Sequence, residues 1–281
     1  MKKSITVLFI TTILFFTACQ KEIDWGLGGN AGADKLLVKI SSKTGSDSTV
    51  TSYTYNTAKQ LTNENTTGIS GTTILDNNLK IYRNSSGIIQ RTVQVAAALT
   101  ANGIDSLVIR FNYNTSLSKY TSSVFAVTVM GTNVVDSAVY IYDAVGKISS
   151  DEHYLKASLL PPTLALKNQY TYSADGLNVT GSQQSAITTL GGPLTPQASQ
   201  TYTYDDKKNP LIVKQEAMLL LRTGLFNAQN PLKTVVTNTS DPTADFTMDY
   251  VYRYNAAGKP DSSYGTRTPG GALTATKYFY Q

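Results

Sequence analysis

The amino-acid sequence predicts an all-β protein that folds as an antiparallel meander of about 14–16 strands. The first observation behind this prediction is composition. Threonine, serine, asparagine and tyrosine dominate, with 18 tyrosines in 281 residues, and this bias favours strands and turns over helices. The second is a tyrosine-rich element that recurs about every 30 residues, a period that is typical of repeat arrays.

The repeated element is a Tyr-x-Tyr strand end that runs directly into a polar turn. Residues i and i+2 of a strand face the same side, so each copy presents two rings to one face. An Asn or Asp then caps the turn, and a Gly three residues later takes the left-handed conformation that closes a hairpin. Clear copies begin at Tyr53, Tyr140, Tyr170, Tyr202 and Tyr252, and weaker copies at Ile81, Phe111 and Tyr278.

The spacing of the copies indicates the architecture. Their second aromatic residues are at positions 55, 82, 113, 142, 172, 204, 254 and 280, with intervals of 27, 31, 29, 30, 32, 50 and 26 residues. About thirty residues accommodate a two-stranded hairpin and its return loop, so eight copies give roughly 14–16 strands. So many twisted strands curl, split into two layers or close. We expect a single β-repeat domain at 35–281.

The 50-residue interval holds an insertion or a degenerate copy, at about 205–250. Within it, residues 215–222 have high helix propensity and are followed by Gly224, which can end a helix. The Leu219–Leu221 run fits a buried strand equally well. We interpret this segment as a cover over one end of the sheet in preference to a partner-binding helix.

The N-terminus carries an export signal. Lys2 and Lys3 precede an apolar run from Ile5 to Phe16, which is shorter than the roughly 20 residues of a membrane-spanning helix. The run ends in Phe16-Thr17-Ala18-Cys19, which resembles a lipobox. The resemblance implies a signal peptide at 1–18 and lipid attachment at Cys19. Acylation also accounts for a lone cysteine in an exported protein, and the alternative is an ordinary secretory signal with an incidental cysteine.

Residues 19–34 are expected to form a lipidated tether. The segment from Gln20 to Asp24 resembles the surface-export signal of Bacteroidetes lipoproteins, and a solvated spacer is the alternative. The segment from Trp25 to Ala33 is rich in glycine, as in flexible linkers. We therefore expect an outer-membrane, lipid-anchored protein that faces the periplasm or the cell surface. Its partners would be the membrane, through Cys19, and an envelope protein or a glycan.

The repeat resembles two known families. The pattern Tyr-x-Tyr-Asp/Asn-x-x-Gly-Lys is similar to the YD repeat of the RHS family, and it is more similar to the repeats of Bacteroidetes lipoproteins of the DUF4595 type. Segments such as 204–211 and 227–233 also have counterparts in the second family. The resemblance implies a lipid-anchored β-repeat body. It implies no catalytic residue, because the family has no established biochemical activity. The chain departs from the YD repeat in two ways: lysine or no basic residue stands where arginine is usual after the turn glycine, and the spacing is longer.

No catalytic constellation is apparent. His153 is the only histidine, and with Cys19 taken by lipid it cannot build a multi-histidine or cysteine zinc site. No Gly-x-Ser-x-Gly element marks a nucleophile. We interpret His153 as an exposed strand-end residue in preference to a catalytic one. The acidic pairs Asp151-Glu152 and Asp205-Asp206 lack the alternating ligands of a calcium loop. We predict no catalytic residue, no metal and no cofactor.

The charge and composition of the chain exclude some classes of partner. Removal of Lys2 and Lys3 lowers the formal net charge from +5 to +3, and the longest basic run of the mature chain is Lys207-Lys208, so we expect no nucleic-acid partner. The predicted function is a non-catalytic binding or scaffolding module in the cell envelope. The alternatives are a glycan- or lipid-binding protein that uses an aromatic face or groove, and a hydrolase with an unrecognised site. For the tyrosines, a structural ladder is favoured over a sugar platform.

Overall fold

The computed structural model describes residues 35–129, 132–157, 161–189, 191–210 and 227–281. The predicted signal peptide, the tether and Cys19 lie outside these ranges, and so does the helix candidate at 215–222. Within the described ranges, no helix is long and apolar enough to cross a bilayer.

Sixteen strands account for most of the described residues. They are β1 (Leu37–Thr44), β2 (Asp47–Tyr55), β3 (Leu61–Ser70), β4 (Thr73–Arg83), β5 (Ile89–Ala96), β6 (Leu107–Asn114), β7 (Lys119–Val129), β8 (Thr132–Tyr142), β9 (Ile148–Ala157), β10 (Thr163–Tyr172), β11 (Val179–Ile187), β12 (Leu194–Lys208), β13 (Gln229–Asn238), β14 (Phe246–Tyr254), β15 (Pro260–Thr268) and β16 (Leu273–Tyr280). A short helix, α1 (Ala97–Thr100), follows β5, and a 3-10 turn (Pro242–Ala244) precedes β14.

The strands form one closed antiparallel barrel. Each strand pairs with its neighbours in sequence, and β1 pairs with β16, with Ile40 opposite Tyr278. The predicted all-β meander of about 14–16 strands is therefore confirmed, and of the arrangements open to such a sheet the chain adopts closure. Closure satisfies the backbone groups that would otherwise be exposed along the two edge strands.

The turns after the repeated element all lie at the same end of the barrel, which we call the tyrosine end. Their structure confirms the predicted turn chemistry. The Asp143 carboxylate accepts hydrogen bonds from the backbone N–H groups of Val145 and Lys147, at 3.0 and 2.7 Å. Gly146 has φ of 87°, in the left-handed region. Asn84 and Asn255 cap their turns in the same way.

The second tyrosine of a repeat fastens its strand to the preceding one. The strand register shifts at this tyrosine, for example between Thr171 and Tyr172. The Tyr172 hydroxyl donates to the backbone carbonyl of Ile148, at 2.7 Å. The same contact joins Tyr55 to Leu37, Tyr142 to Tyr120, Tyr204 to Val179 and Tyr280 to Pro260. Five of the eight repeats therefore place the hydroxyl on a carbonyl at the start of the neighbouring strand.

The copy at Ile81 is placed one residue away from the predicted position. Tyr82 was predicted as its second aromatic residue, but the side chain of Tyr82 faces outward and Arg83 occupies the inward position. The register shift between Tyr82 and Arg83 matches the shift between Thr54 and Tyr55. Arg83, and not Tyr82, therefore corresponds to the second tyrosine of the other copies. With Arg83 in that position, the intervals to the neighbouring copies at Tyr55 and Tyr113 are 28 and 30 residues.

The barrel interior is apolar on one side and polar on the other. The apolar side lies mainly on β3 to β7, where inward side chains such as Leu61, Leu79, Ile109 and Phe111 form one buried cluster. Leu99 and Ile104, from the α1 segment, complete this cluster. On β11 to β13 several inward residues are polar and half-buried, including Ser182, Gln184, Gln200 and Thr234, although Val179 and Tyr202 on the same strands are buried.

We expect the Tyr172→Phe variant to be less stable than the wild type by about 1–2 kcal/mol, because the carbonyl of Ile148 loses its hydroxyl partner in a half-buried position. Chemical denaturation measures the difference. Tyr264→Phe, which removes a hydroxyl from an exposed outward ring, is the matched control and should leave the midpoint unchanged. Equal midpoints for wild type and Tyr172→Phe would contradict the role assigned to this contact.

Candidate functional site in the barrel interior

A buried ionic cluster lies at the boundary between the apolar and polar sides of the interior. His153, on β9, faces inward between two carboxylates and is 4% exposed. Its Nδ1 lies 3.1 Å from Asp136 Oδ2, on β8, and its Nε2 lies 2.7 Å from Asp151 Oδ2, two residues away on its own strand. Strand alternation explains the arrangement, since residues 151 and 153 face one side and Ala138 of β8 pairs with His153.

Neighbouring strands complete the hydrogen bonding of Asp151. The Tyr170 hydroxyl donates to Asp151 Oδ1 at 2.5 Å, and the Asn168 amide donates to Oδ2 at 2.9 Å. The Gln184 side-chain amide in turn donates to the side-chain oxygen Oδ1 of Asn168, at 3.3 Å. The cluster therefore runs across β8, β9, β10 and β11 as one network.

The network holds His153 in its charged form. Burial by itself lowers the pKa of His153, but the hydrogen bonds and negative charges of Asp136 and Asp151 outweigh burial and raise that pKa to about 9. Burial likewise raises the pKa of Asp151, but hydrogen bonds from His153, Tyr170 and Asn168, with the histidine charge, lower it overall. At neutral pH an imidazolium therefore lies between two carboxylates.

The interpretation of His153 as an exposed strand-end residue is wrong. It occupies the middle of β9 and its side chain is buried. Both ring nitrogens are engaged by carboxylates, so neither is available to accept a proton from a nucleophile. One feature of the sequence does indicate a buried partner for His153. Asp136 lies in phase with Val134, Ala138 and Tyr140, at a position where strand alternation predicts an inward side chain.

Glu64 is a second buried charge, and it has a different environment. It faces inward on β3 between Tyr53 and Leu79 of the adjacent strands, and is 3% exposed. Among the described residues, none hydrogen-bonds to its carboxylate or forms an ion pair with it. Burial raises the pKa of Glu64 to about 7. Chemically, this group can take up a proton or a cation from inside the barrel near neutral pH.

The acidic pairs of the sequence are separated by the fold. Asp151 faces the interior, whereas Glu152 faces outward and bonds Lys167 at 2.9 Å. Asp205 accepts from the Asn230 side chain at 3.0 Å and from the Tyr254 hydroxyl, while Asp206 stays exposed beside Lys207. Neither pair brings two carboxylates together.

The repeat tyrosines face the interior. Tyr53, Tyr202 and Tyr278 are buried, and most of the others are half-buried against the apolar cluster, for example Tyr55, Tyr142 and Tyr280. The rings of Tyr252 and Tyr254 stack at a centroid distance of 6.1 Å. These tyrosines therefore do not form a platform on the outer surface of the barrel.

The fold and its interior define the class: a sixteen-stranded antiparallel β-barrel. No family model matches the chain, and no curated protein does. A porin-like protein from Bacteroides uniformis is similar in structure, with 13% identity and a TM-score of 0.52 over 87% of this chain and 98% of the other. A porin-like protein from Bacteroides vulgatus gives 12% identity and a TM-score of 0.54 over 88% and 99%. At these identities the likeness shows the barrel fold.

We expect His153→Leu to lower the free energy of unfolding by about 3–5 kcal/mol, since Asp136 and Asp151 would stay buried without their cation. The pKa in the folded state is raised above 6.5, so the stability contributed by His153 is fully present below pH 6.5 and is lost as pH rises through about 9. Denaturation of wild type and variant at about pH 6 and about pH 10 measures this. A difference that does not shrink at the higher pH would contradict it.

We expect Glu64→Gln to stabilise the protein at about pH 8, by up to about 3 kcal/mol. The folded-state pKa lies above the ordinary 4.5, so the stability linked to Glu64 is fully present below pH 4.5 and is lost as pH rises through about 7. Denaturation at about pH 4 and about pH 8 tests this. Glu152→Gln is the matched control, because Lys167 lowers the pKa of that outward carboxyl and its loss brings no gain. An equal response of the two variants would refute the assignment.

Proposed function

We propose that this protein is a lipid-anchored protein of the cell envelope whose β-barrel stands in water and acts as a non-catalytic binding or scaffolding module. The observation that carries the proposal is the chemistry of the outer barrel wall. Outward residues along β10 and β12 are mainly hydroxyl or amide side chains, such as Gln169, Thr171, Thr201 and Thr203. A barrel that spans a membrane presents an apolar band about 25 Å tall instead.

Charges on the outer wall strengthen this argument. Arg91 and Arg110 pair directly across β5 and β6, and both are exposed. Lys80 is exposed on β4. Most strands have 8–11 residues, so nearly their whole length would be needed to cross a bilayer. An arginine or lysine near the bilayer midplane costs about 2–4 kcal/mol, and the wall carries several.

Because the barrel wall suits water, membrane attachment would come from the N-terminus. Lipid on Cys19 provides it, with residues 19–34 as the connection to β1. Stable anchoring needs more than one acyl chain, and bacterial lipoprotein acylation supplies several. We place the protein at the outer membrane, facing either the periplasm or the cell surface.

A non-catalytic role agrees with the interior. The single histidine has carboxylates on both ring nitrogens, and Glu64 lies among apolar neighbours with no nucleophile bonded to it. A glycan or an envelope protein remains the proposed partner class. A glycan would be held inside the barrel, since the repeat tyrosines face inward.

The anchor is tested by Cys19→Ser in a chain exported with a cleavable, non-lipoprotein signal sequence. We expect the unmodified protein in the membrane fraction and the variant in the soluble periplasmic fraction, since its barrel has no lipid-facing band. Fractionation with an alkaline carbonate wash and mass measurement of the N-terminal peptide provide the readouts.

Two outcomes would contradict the proposal. Retention of Cys19→Ser in carbonate-washed membranes would mean that the barrel itself is embedded. An N-terminal peptide of the unmodified protein without acyl mass would mean that Cys19 is not the attachment site. Thr201→Ser, an exposed change on the outer wall, is the control for altered folding or export.

A further inference from the structure

The outer surface of four neighbouring strands, β14, β15, β16 and β1, differs from the hydroxyl-rich surface of β10 to β12. Four large apolar side chains stand exposed on it: Val251 at 66%, Leu273 at 52%, Tyr264 at 39% and Phe279 at 38%. Val251 pairs directly with Tyr264, and the other two lie on the adjacent strand. We call this surface the anchor wall.

Cations are interleaved with these apolar groups. Lys39 pairs with Phe279, and its Nζ lies 4.1 Å from the centre of that ring. Arg253 lies 6.0 Å from the ring centre of Tyr264. Lys277 is exposed on β16, directly across from Ser41. Each of these long side chains can lay its apolar stem along the aromatic surface and keep its charge outward.

The negative charge on the anchor wall is small. Asp249 lies 3.9 Å from Lys233, and Asp261 is at the start of β15. Among the described residues, none forms an ion pair with Lys39, Arg253 or Lys277. The wall therefore combines uncompensated cations, exposed aromatic rings and aliphatic side chains, which is the composition of surfaces that lie at a membrane interface.

The position of the wall relative to the chain entry is the second observation. The backbone of Leu36 pairs with that of Gln281 in both directions, at 2.7 and 2.9 Å, so the N-terminal segment joins the barrel at the β1–β16 seam. Sixteen residues lie between Cys19 and Leu36. Fully extended, they reach at most roughly 60 Å, and β1 is only about 27 Å long. A lipid on Cys19 therefore tethers the barrel to the membrane at the edge of this wall and keeps the wall within reach of the bilayer surface.

We propose that the anchor wall lies against the anionic surface of the bilayer that holds the lipid of Cys19, so that the barrel rests on its side. The inference rests on the proposed lipid anchor. The wall is amphipathic, as a surface at the membrane–water interface must be. In this arrangement the cations bind anionic headgroups, and Tyr264, Phe279 and Leu273 enter the headgroup region. The hydroxyl-rich surface of β11 and β12, with Thr201 and Gln183, lies outside the anchor wall and stays in water.

The orientation is tested in the lipidated protein bound to vesicles. Cys19 is the only cysteine and is consumed by the lipid, so a single added cysteine can be labelled alone. Thr266→Cys places a fluorophore on the anchor wall, and Thr201→Cys places it on the hydroxyl-rich surface of β12, outside that wall. Val95→Cys places it on β5, beside the second basic surface around Arg91 and Arg110. Lipids with a nitroxide in the headgroup then quench fluorophores that lie near the membrane.

We expect the label at position 266 to be quenched several-fold more than the label at 201 on vesicles that contain phosphatidylglycerol. The difference should shrink at high salt, because screening weakens the attraction of the cations. Equal quenching at 266 and 201, or stronger quenching at 95, would overturn the proposal. If the lipid anchor itself is wrong, the protein will carry no acyl mass, which is a separate outcome.

The second measurement is independent of the lipid. Unlipidated mature chain with Cys19→Ser is titrated with phosphatidylglycerol-containing vesicles. Each cation near an anionic surface contributes roughly five-fold in affinity, so Arg253→Gln with Lys277→Gln should weaken binding about 25-fold. Lys80→Gln with Arg110→Gln removes the same charge from the other basic surface and should change binding far less. Equal losses in the two double variants would show that net charge, and not the anchor wall, drives binding.

Discussion

The pairing of β1 with β16 is the constraint on which the rest of the structure depends. An open sheet of sixteen strands would expose the backbone groups of two edges, and closure satisfies them within the chain. Closure also fixes an inside and an outside for every strand, so each alternate residue belongs permanently to one of two environments. The same seam joins Leu36 to Gln281 and so decides where the N-terminal segment meets the barrel.

The interior of the closed barrel is partly polar and contains two buried ionisable groups, His153 and Glu64. The surroundings of these two groups shift their pKa values for different reasons. His153 has a carboxylate at each ring nitrogen, so its imidazolium keeps its charge although it is buried. Among the described residues, none bonds to the Glu64 carboxylate, and burial shifts the pKa of Glu64 towards neutrality instead. The charge of His153 is therefore constant near neutral pH, while the charge of Glu64 responds to pH.

The sequence predicted most of the fold because the repeat encodes local chemistry that acts within one hairpin. Asp143 and Gly146 are enough to specify a turn, and the Tyr140–Tyr142 pair is enough to specify a face. The prediction at Tyr82 was wrong because it relied on the aromatic side chain of this residue. The alternation of inward and outward side chains along the strand places Arg83, and not Tyr82, in the inward position. The buried cluster at His153 was not predicted because Asp136, Asp151 and Tyr170 come from three strands, and only the register brings them together.

The side chains on the outer surface of the barrel decide which surroundings the barrel suits. Alternation places the repeat tyrosines inside and many hydroxyls, amides and cations outside, whereas a lipid-embedded wall requires a continuous apolar band on the outer face. In the proposed arrangement the barrel stands in water, which avoids the cost of burying Arg91, Arg110 and Lys80 in hydrocarbon. Contact with a membrane would then come from a tether and from one surface suited to headgroups. We propose the wall beside the N-terminal seam as that surface, since it combines cations with exposed aromatic rings where the chain enters the barrel.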